Sequence, residues 1–353
     1  MKFGVGLPTC TAGMMYPVPF ARPDDLLRVT LAAEELGYFA VMGNDHLTTQ
    51  QYVRTTYPDP PDFFEPLITY AYCAARTTRI RLMTGVIVLP VREPILLAKQ
   101  IATLDQLSEG RVILGVGVGA YREEFEATHP HLRQATRSEL VEERIRALRA
   151  LFTERRASFS GRYVAFNDVE MYPKPRQQPF PIFSGGNAEG SIRRAAELCQ
   201  GWIPAGIGPE QIAAGRERLF RYAEQAGRDP HAISIAPQLV VSIGRTSEQA
   251  REAFARSQLY EHLVSLQQST LKGVDTSAYE AINLIGTPDE LRRRVERYAE
   301  AGVDHLAGLL FVGDTVDEML GQIQFFAQTV VAAFPETAGG QRWADAEQVN
   351  PGQ

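Results

Sequence analysis

The chain alternates between short apolar runs and longer segments whose apolar residues recur at helical spacing. The runs are rich in valine, isoleucine and leucine, which is typical of parallel strands covered on both faces. Between them, segments such as 26–36 place leucine and alanine on one face of a helix. The pattern predicts strands at residues 3–7, 38–43, 79–89, 111–119, 180–186, 201–206, 233–244 and 305–313.

Local signals mark the ends of several predicted helices. Gly37 and Gly110 each follow a helical segment directly, in the position where glycine commonly ends a helix. Thr287 and Glu290 form a capping box at the start of a further helix. The stretch 44–62 shows no such periodicity and is predicted to be a loop.

Eight apolar strands, each followed by a helix, favour an α/β fold, the (β/α)8 TIM barrel, in a single domain over 1–333. Two longer excursions, about 153–178 and 259–286, are interpreted as insertions after strands 4 and 7. The remaining residues, 334–353, are predicted to form a polar C-terminal tail. A doubly wound parallel sheet is the alternative, because periodicity alone does not show whether a sheet closes.

Composition and charge narrow the classes of function. The 353-residue chain is 44% hydrophobic and 22% charged, as expected of a globular protein with a large core. It carries 36 lysines and arginines against 42 aspartates and glutamates, without a basic block, which argues against a nucleic-acid partner. No apolar run approaches the roughly 18–20 residues of a membrane-spanning helix, and the first residues do not resemble a signal peptide.

Cysteine and histidine patterns disfavour a metal site. Cys10, Cys73 and Cys199 are scattered, without a C-x-x-C pair, so they indicate neither a disulfide framework nor a zinc site, and a cytoplasmic protein is expected. His129 and His131 flank a proline in a polar loop and are interpreted as surface residues. Since no metalloprotease motif or carboxylate cluster is present, no metal is expected.

In a barrel of this kind, the active site is built from the carboxyl ends of the strands. His46 directly follows the second strand beside Asp45, and its imidazole is suited to act as a general acid or base near neutral pH. The alternative is a loop histidine bonded to a neighbouring backbone group. The same rule of position also nominates Cys10, Asn44, Thr84–Val86, Gly117–Tyr121, Ser184–Asn187, Ala205 and Gly206.

Two glycine-rich strand ends are candidates for binding a ligand. The segment 115–120, G-V-G-V-G-A, fits a dinucleotide fingerprint, but it lies at the fourth strand and lacks the helix and acidic residue that should follow. We interpret its glycines as letting a planar ligand approach the backbone closely. The segment 184–187, S-G-G-N, precedes a predicted helix whose free N–H groups would hold a phosphate. A tight strand-to-helix turn is the alternative for this segment.

Several of these segments together resemble the luciferase-like monooxygenase superfamily, over about residues 1–333. The most specific block, residues 89–111, reads LPVREPILLAKQIATLDQLSEGR and runs into LGVGVG at 114–119. The order and spacing of the family are also kept by NDH at 44–46, REEFE at 122–126, SGGN at 184–187 and GW at 201–202. The chain is most similar to the branch that uses coenzyme F420, a 5-deazaflavin, rather than FMN.

The resemblance implies a role for most of the nominated residues. His46 would donate or accept a proton at the redox ring, and Gly85 and Val86 would be joined by a non-prolyl cis peptide bond behind that ring. The residues expected at the cofactor phosphate are Gly185, Gly186 and Asn187. The remaining residues expected to bind the cofactor are Asp45, Thr84, Gly117, Gly119 and Ser184.

The function implied by the resemblance is hydride transfer between coenzyme F420 and a small organic substrate. A two-component monooxygenase that uses reduced FMN and oxygen is the alternative, and a non-catalytic flavin-binding barrel is the alternative from another class. Ala120 stands where some deazaflavin-dependent sugar-phosphate dehydrogenases carry glutamate, which disfavours that substrate class. The resemblance also implies a homodimer through the early helices and an insertion after strand seven that covers the pocket.

Overall fold

The structure, a computed structural model, alternates parallel strands with helices and describes residues 1–268, 271 and 273–334. The predicted tail after Phe334, and residues 269, 270 and 272 of the second excursion, lie outside the described residues. The strands are β1 (Lys2–Leu7), β2 (Ala40–Gly43), β3 (Arg81–Thr84), β4 (Ile87–Val88), β5 (Val112–Gly117), β6 (Ala157–Ser160), β7 (Ala165–Val169), β8 (Ile182–Gly185), β9 (Gly201–Ile203), β10 (Ser234–Ile235), β11 (Gln238–Ile243), β12 (Leu284–Gly286) and β13 (His305–Phe311). The helices are α1 (Pro23–Glu35), α2 (Gln51–Thr56), α3 (Pro66–Ala74), α4 (Pro94–Leu107), α5 (Arg122–Thr128), α6 (Arg137–Thr153), α7 (Glu189–Leu198), α8 (Pro209–Gln225), α9 (Ser247–Arg256), α10 (Gln258–Ser265), α11 (Tyr279–Ile282), α12 (Pro288–Glu300) and α13 (Val316–Thr329).

The parallel strands form one curled sheet. Neighbouring strands follow the order β10, β9, β8, β5, β3, β2, β1, β13, β11 and β12, with β4 beside β5. β10 pairs with β9 and β11 pairs with β13, while only Ala236 and Pro237 separate β10 from β11. Ala236 N–H donates to the Trp202 carbonyl at 2.9 Å, and Ala307 N–H donates to the Pro237 carbonyl at 3.2 Å. The segment 234–243 therefore bridges β9 on one side and β13 on the other.

Alternate strand residues point into the curled sheet, and the helices cover its outer face. In α4, for example, Leu97 and Ile101 are buried on the side that faces the strands. None of the helices in the described part of the chain is both long and apolar enough to cross a membrane. The interior cluster consists of Ala40, Met42, Met83, Ile113, Phe183, Ile203, Ala236 and Ala307.

The closest contacts between neighbouring strands depend on residues without side chains. A Cβ atom at Gly4 would lie 2.2 Å from the carbonyl oxygen of Ala307, and one at Gly115 would lie 2.0 Å from that of Thr84. Thr84 also fastens the second contact, because its Oγ1 donates to the Gly115 carbonyl at 2.7 Å. The Gly4 contact holds β1 close to β13, and the Thr84–Gly115 contact holds β3 close to β5.

The predicted helix ends are confirmed. Gly37 and Gly110 follow α1 and α4 with φ angles of +79° and +81°, a conformation that favours glycine. The capping box opens α12, where Thr287 Oγ1 accepts a hydrogen bond from the Glu290 N–H at 3.4 Å.

Several predicted boundaries are wrong. The strand predicted over 79–89 is interrupted after Thr84, and the strand predicted over 233–244 is interrupted at Pro237, which lacks the N–H that a central strand needs. The loop predicted over 44–62 contains the short helix α2, whose polar sequence gives no apolar periodicity.

The two excursions contain secondary structure of their own. The range 153–178 includes the antiparallel hairpin of β6 and β7, and the range 259–286 includes most of α10 together with α11 and β12. β12 pairs in parallel with β11, so part of the second excursion extends the sheet. Their status as insertions, and the domain boundary at 333, stay predictions.

Replacing Gly115 with alanine should lower the free energy of unfolding by about 2–3 kcal/mol, because the new Cβ atom would overlap the backbone of β3. The matched control is Gly321→Ala, in the exposed part of α13, where a Cβ atom meets nothing within 4 Å. This control should raise stability by up to about 1 kcal/mol. Urea denaturation of the two variants measures the difference, and equal effects would contradict the role given to Gly115.

Candidate active site

A cavity of about 160 Å³ opens at the carboxyl ends of β2, β5, β8 and β9, beside β4 and the start of β11. Helix α10 forms the opposite wall, so the cavity lies between the sheet and the second excursion. This is the end of the sheet at which the sequence places the active site. The lining residues are Met15, Asn44, Asp45, His46, Gly85, Val86, Val88, Gly117, Val118, Gly119, Ala120, Tyr121, Gly185, Gly186, Ile203, Ala205, Gln238, His262 and Leu266.

Val86 and three glycines (Gly85, Gly117 and Gly185) form the floor of this cavity. The peptide bond between Gly85 and Val86 is cis, as the resemblance predicts, and it separates β3 from β4. A Cβ atom at Gly117 or at Gly185 would lie 2.7 or 2.6 Å from the Val86 side chain. Larger residues at these positions would therefore displace Val86 and fill the space above it.

The imidazole of His46 is held by a buried carboxylate from α5. Its Nδ1 atom lies 2.9 Å from Oε2 of Glu124, and the other oxygen of Glu124 accepts the Leu47 N–H at 2.6 Å. Gln50 Nε2 also lies 3.0 Å from the same ring nitrogen. Because Nδ1 is engaged, Nε2 is the ring nitrogen available to a bound molecule. The alternative of a loop histidine bonded to a neighbouring backbone is therefore wrong.

Aromatic rings surround this histidine on the side of the cavity. The ring centroids of Phe63 and Tyr121 lie 6.0 and 5.9 Å from that of His46, and the imidazole side chain is only 10% exposed. The hydroxyl of Tyr121 lies 3.3 Å from that of Tyr52, which joins α2 to the start of α5. The histidine is thus shielded from bulk water, which strengthens its electrostatic interactions with a ligand.

Asp45 is buried at the same strand end, but its carboxylate is occupied by other groups. It accepts hydrogen bonds from the Val88 N–H at 3.0 Å and from Nε of Arg92 at 3.2 Å, and a second guanidinium nitrogen also contacts it. Arg92 in turn pairs with Glu65 at 2.9 Å. This network fixes β4, and with it the floor at Val86, against the end of β2.

Three further residues that are predicted to bind the cofactor, Thr84, Ser184 and Asn187, do not line the cavity. Thr84 is bonded to β5, and Ser184 Oγ donates to the Ser191 carbonyl at 3.1 Å. Asn187 bonds both backbone groups of Ala205, its Nδ2 donating at 2.8 Å and its Oδ1 accepting at 3.0 Å. Their side chains stabilise the strand ends, whereas the remaining predicted site residues line the cavity itself.

Within the described part of the chain, three cavity residues carry buried polar atoms without a hydrogen-bond partner: Asn44 Oδ1, Gln238 Nε2 and His262 Nδ1. Burial, followed by the charge of His46, lowers the pKa of His262 to about 4. The sequence nominated Asn44 by its position but missed Gln238 and His262. The interruption of strand seven and the path of α10 place these two residues at the cavity; Pro237 is the sequence signal for the interruption, whereas the path of α10 has none.

A second hollow of about 730 Å³ adjoins the cavity at Ala120 and Tyr121. It contains Arg122 and Arg137, and Arg137 donates to the Gly119 carbonyl at 2.8 Å. The starts of α6 and α7 lie side by side, because a Cβ atom at Gly190 would be 3.7 Å from Ser138 Oγ. This region therefore combines helix N-termini with an arginine, which is suited to an anionic group.

Within residues 1–268, 271 and 273–334, no group of three or more histidine, cysteine, aspartate or glutamate side chains is arranged to hold a metal ion.

Acid should destabilise the protein partly through His262. Its pKa of about 4 lies below the ordinary value of 6.5. Between these two pH values, the unfolded chain therefore takes up a proton more readily than the folded chain. The stabilising contribution is therefore present above pH 6.5 and lost as the pH falls towards 4. Urea denaturation between pH 7 and 4.5 measures this effect. As the pH falls, the free energy of unfolding of His262→Phe should decrease less steeply than that of the wild type, and the two slopes should differ by up to about 1.4 kcal/mol per pH unit.

The matched control for this measurement is His131→Phe, at an exposed position, which should follow the wild type. A difference between wild type and His262→Phe that stays constant with pH would contradict the assignment.

Comparison with known proteins places this geometry in a family. A sequence profile described as luciferase-like monooxygenase matches residues 1–305. The FMNH(2)-dependent dimethylsulfone monooxygenase of Pseudomonas putida is 30% identical over 275 residues, which cover 71% of this chain and 74% of that protein.

Solved structures show the same fold. The monooxygenase RslO1 from Streptomyces bottropensis has a TM-score of 0.75 at 24% identity, with 95% of this chain and 100% of that chain covered. The coenzyme F420 dependent tetrahydromethanopterin reductase from Methanopyrus kandleri has a TM-score of 0.69 at 17% identity, with coverages of 94% and 99%. The curled parallel sheet thus matches that of luciferase-like TIM-barrel proteins. The chain belongs to the luciferase-like monooxygenase family.

Proposed function

We propose that the protein is an oxidoreductase that uses coenzyme F420 for hydride transfer to or from a small organic substrate. The observation that carries the proposal is the imidazole of His46, fixed by Glu124 beside the cavity floor at Val86. Family membership supports an enzyme, and the Methanopyrus kandleri neighbour is described as coenzyme F420 dependent.

The groups that line the cavity suit a deazaflavin or flavin ring. The glycines beside Val86 leave room for its side chain in the cavity floor, against which a planar ring would lie. The unpartnered Asn44 Oδ1 and Gln238 Nε2 offer one acceptor and one donor to the polar edge of such a ring. When bound, the coenzyme would supply the carbon that gives or takes the hydride.

The coenzyme phosphate would lie where the second hollow meets the starts of α6 and α7. Gly185 and Gly186 line the cavity near this point, and Arg137 provides a positive charge. Asn187 would act by holding the loop to Ala205 rather than through its own amide. In the same way, Thr84, Ser184 and Asp45 would position the strand ends around the coenzyme.

The residues of this chain would handle the coupled proton. His46 would take a proton from the substrate, or return one to it, through Nε2. Glu124 would keep the ring in one orientation, because its carboxylate lies 2.9 Å from Nδ1 and leaves Nε2 directed away from that contact. The nearby rings of Phe63 and Tyr121 would keep water away from the reacting atoms.

A two-component monooxygenase that uses reduced FMN is the second candidate. It is supported by the 30% identity to the Pseudomonas putida protein, which is described as FMNH(2)-dependent. The floor and the polar edge residues would suit FMN as well, because the two ring systems share their outline. The coenzyme therefore has to be identified by binding.

Titration of the purified apo-protein with F420 and with FMN, each oxidised and reduced, should show micromolar F420 binding and at least about tenfold weaker FMN binding. Trp202 is an internal reporter, because its Nε1 donates to the Gly186 carbonyl at 2.8 Å beside the proposed phosphate site. Preference for reduced FMN would favour the monooxygenase, and binding of neither coenzyme would refute the proposal.

The variant His46→Ala serves as the control that separates binding from chemistry. It should bind the coenzyme within a few-fold of the wild type while slowing turnover by about 10²–10⁴-fold, the usual contribution of a general acid or base. His131→Ala, at an exposed position, should leave both quantities unchanged.

We further propose that the curled sheet forms one (β/α)8 barrel over residues 1–333, with insertions near 153–178 and 259–286. The approach of His262 and Leu266 to the cavity supports a covering role for the second insertion. Cys10, Cys73 and Cys199 are unpaired and buried, which supports a cytoplasmic location.

We also propose a homodimer through α3 and α4. These adjacent helices expose Ile68, Tyr72, Leu96 and Leu107, which are 66%, 43%, 59% and 65% exposed in the single chain. An apolar surface of this kind on early helices fits a second copy of the chain.

Light scattering of the wild type should therefore give twice the monomer mass of 39.1 kDa. The double variant Ile68→Glu, Leu107→Glu should be monomeric, because two charges would be buried without partners in the interface. Tyr172→Glu, at an exposed aromatic position outside α3 and α4, is the control and should stay dimeric. A monomeric wild type would rule the interface out.

A further inference from the structure

One wall of the cavity takes no part in the proposed proton transfer. It is formed by α10 and the residues after it, from which His262 and Leu266 reach the cavity. His262 is 6% exposed, and its Nδ1 atom has no hydrogen-bond partner among residues 1–268, 271 and 273–334. Buried polar atoms are nearly always partnered, so an exception at a cavity indicates that a bound molecule supplies the partner.

We propose that His262 contacts the substrate, and that this part of the cavity selects an uncharged small molecule bearing a carbonyl or hydroxyl oxygen. The inference rests on the proposed function in one respect: it takes the coenzyme to occupy the floor at Val86. The substrate would then lie between that floor and α10.

The fold holds α10 in place before any ligand binds. Leu263 is buried in the core, and its carbonyl accepts a hydrogen bond from the Tyr279 hydroxyl at 3.0 Å. Gln258, at the start of the helix, donates from Nε2 to the Tyr57 hydroxyl at 2.6 Å. Since α10 is tied at both ends, His262 needs little further ordering to meet a ligand.

The charges around the cavity favour a neutral ligand. Among the described residues that line it, none is lysine or arginine, and the carboxylate of Asp45 is neutralised by Arg92. The low pKa of His262 keeps its imidazole neutral at neutral pH. A phosphate or carboxylate would lose its hydration here without gaining a counter-charge, whereas a neutral oxygen needs only one hydrogen bond.

The cationic side chains lie instead in the adjoining hollow. Arg122 and Arg137 line it beyond Tyr121, on the side proposed for the coenzyme phosphate. Glu123 also lines this outer hollow, and Arg122 is paired with Glu126 at 2.7 Å, so Arg137 is the cation offered to an anion there. This division separates the substrate from the charged part of the coenzyme.

The apolar contacts agree with this class of substrate. Met15 and Val88 line the cavity, as do Leu266 and the ring of Tyr121. A molecule with an apolar body and one oxygen would bury its carbon surface against these side chains and place the oxygen at His262.

The test uses full-length protein labelled with ¹⁵N in its histidines, with and without oxidised F420. Size-matched probes are acetophenone, 1-phenylethanol, ethylbenzene and benzoate, titrated while long-range ¹H–¹⁵N spectra are recorded. His262→Phe assigns the resonances and removes the ring nitrogens, His262→Asn keeps a hydrogen-bonding group, and His131→Phe is the surface control.

The two oxygen-bearing neutral probes should shift the His262 nitrogen resonances, and ethylbenzene should not. Benzoate should bind at least about tenfold more weakly than acetophenone. His262→Phe should weaken acetophenone binding about tenfold and leave ethylbenzene binding unchanged, and His262→Asn should restore part of the loss.

The proposal is overturned if benzoate binds as tightly as acetophenone, if no neutral probe shifts His262, or if His262→Phe weakens acetophenone and ethylbenzene equally. Failure of the proposed function is a separate result, namely that the wild type binds neither F420 nor FMN. Discrimination among the probes without coenzyme would then still support a neutral, oxygen-selective cavity at His262.

Discussion

The close approach of β3 to β5 is the constraint from which the candidate site follows. Without a side chain at Gly115, the backbone of β5 comes against the Thr84 carbonyl, and Thr84 fixes that contact with its own hydroxyl. The chain then turns through the cis peptide at Gly85, and Val86 settles between the glycines of β5 and β8. The floor of the cavity therefore results from backbone packing around Val86.

Buried polar side chains around this floor are held in pairs. Asp45 pairs with Arg92, which ties β4 to the end of β2, and Glu124 contacts His46, which ties α5 to the loop after β2. Removing Arg92 would leave the Asp45 carboxylate buried without its counter-charge, which is more costly than losing the pair. The pairs therefore keep the loops of the site in one arrangement while leaving Nε2 of His46 available.

The distribution of charged side chains over the two adjoining spaces determines which way round a ligand would bind in the site. Arginines and helix N-termini lie in the outer region, and the inner cavity offers neutral polar atoms and apolar side chains. A coenzyme with a neutral ring and an anionic tail matches this order, and so does an uncharged substrate. The proposed coenzyme and substrate thus follow from the same distribution of charge.

The sequence by itself determined the alternation of strands and helices, the helix ends and the candidate histidine, because these depend on local periodicity, capping and position after a strand. It also marked the glycine-rich strand ends, since close backbone approach requires glycine whichever ligand binds. The tertiary structure decided which of the nominated side chains face the cavity and which further residues join them. The side chain of Asn187 bonds the backbone of Ala205. Gln238 lies at the cavity because the strand is interrupted at Pro237, and His262 lies there because of the course of α10. Those orientations depend on contacts between residues far apart in the chain, such as Glu124 with His46, and no local pattern records them.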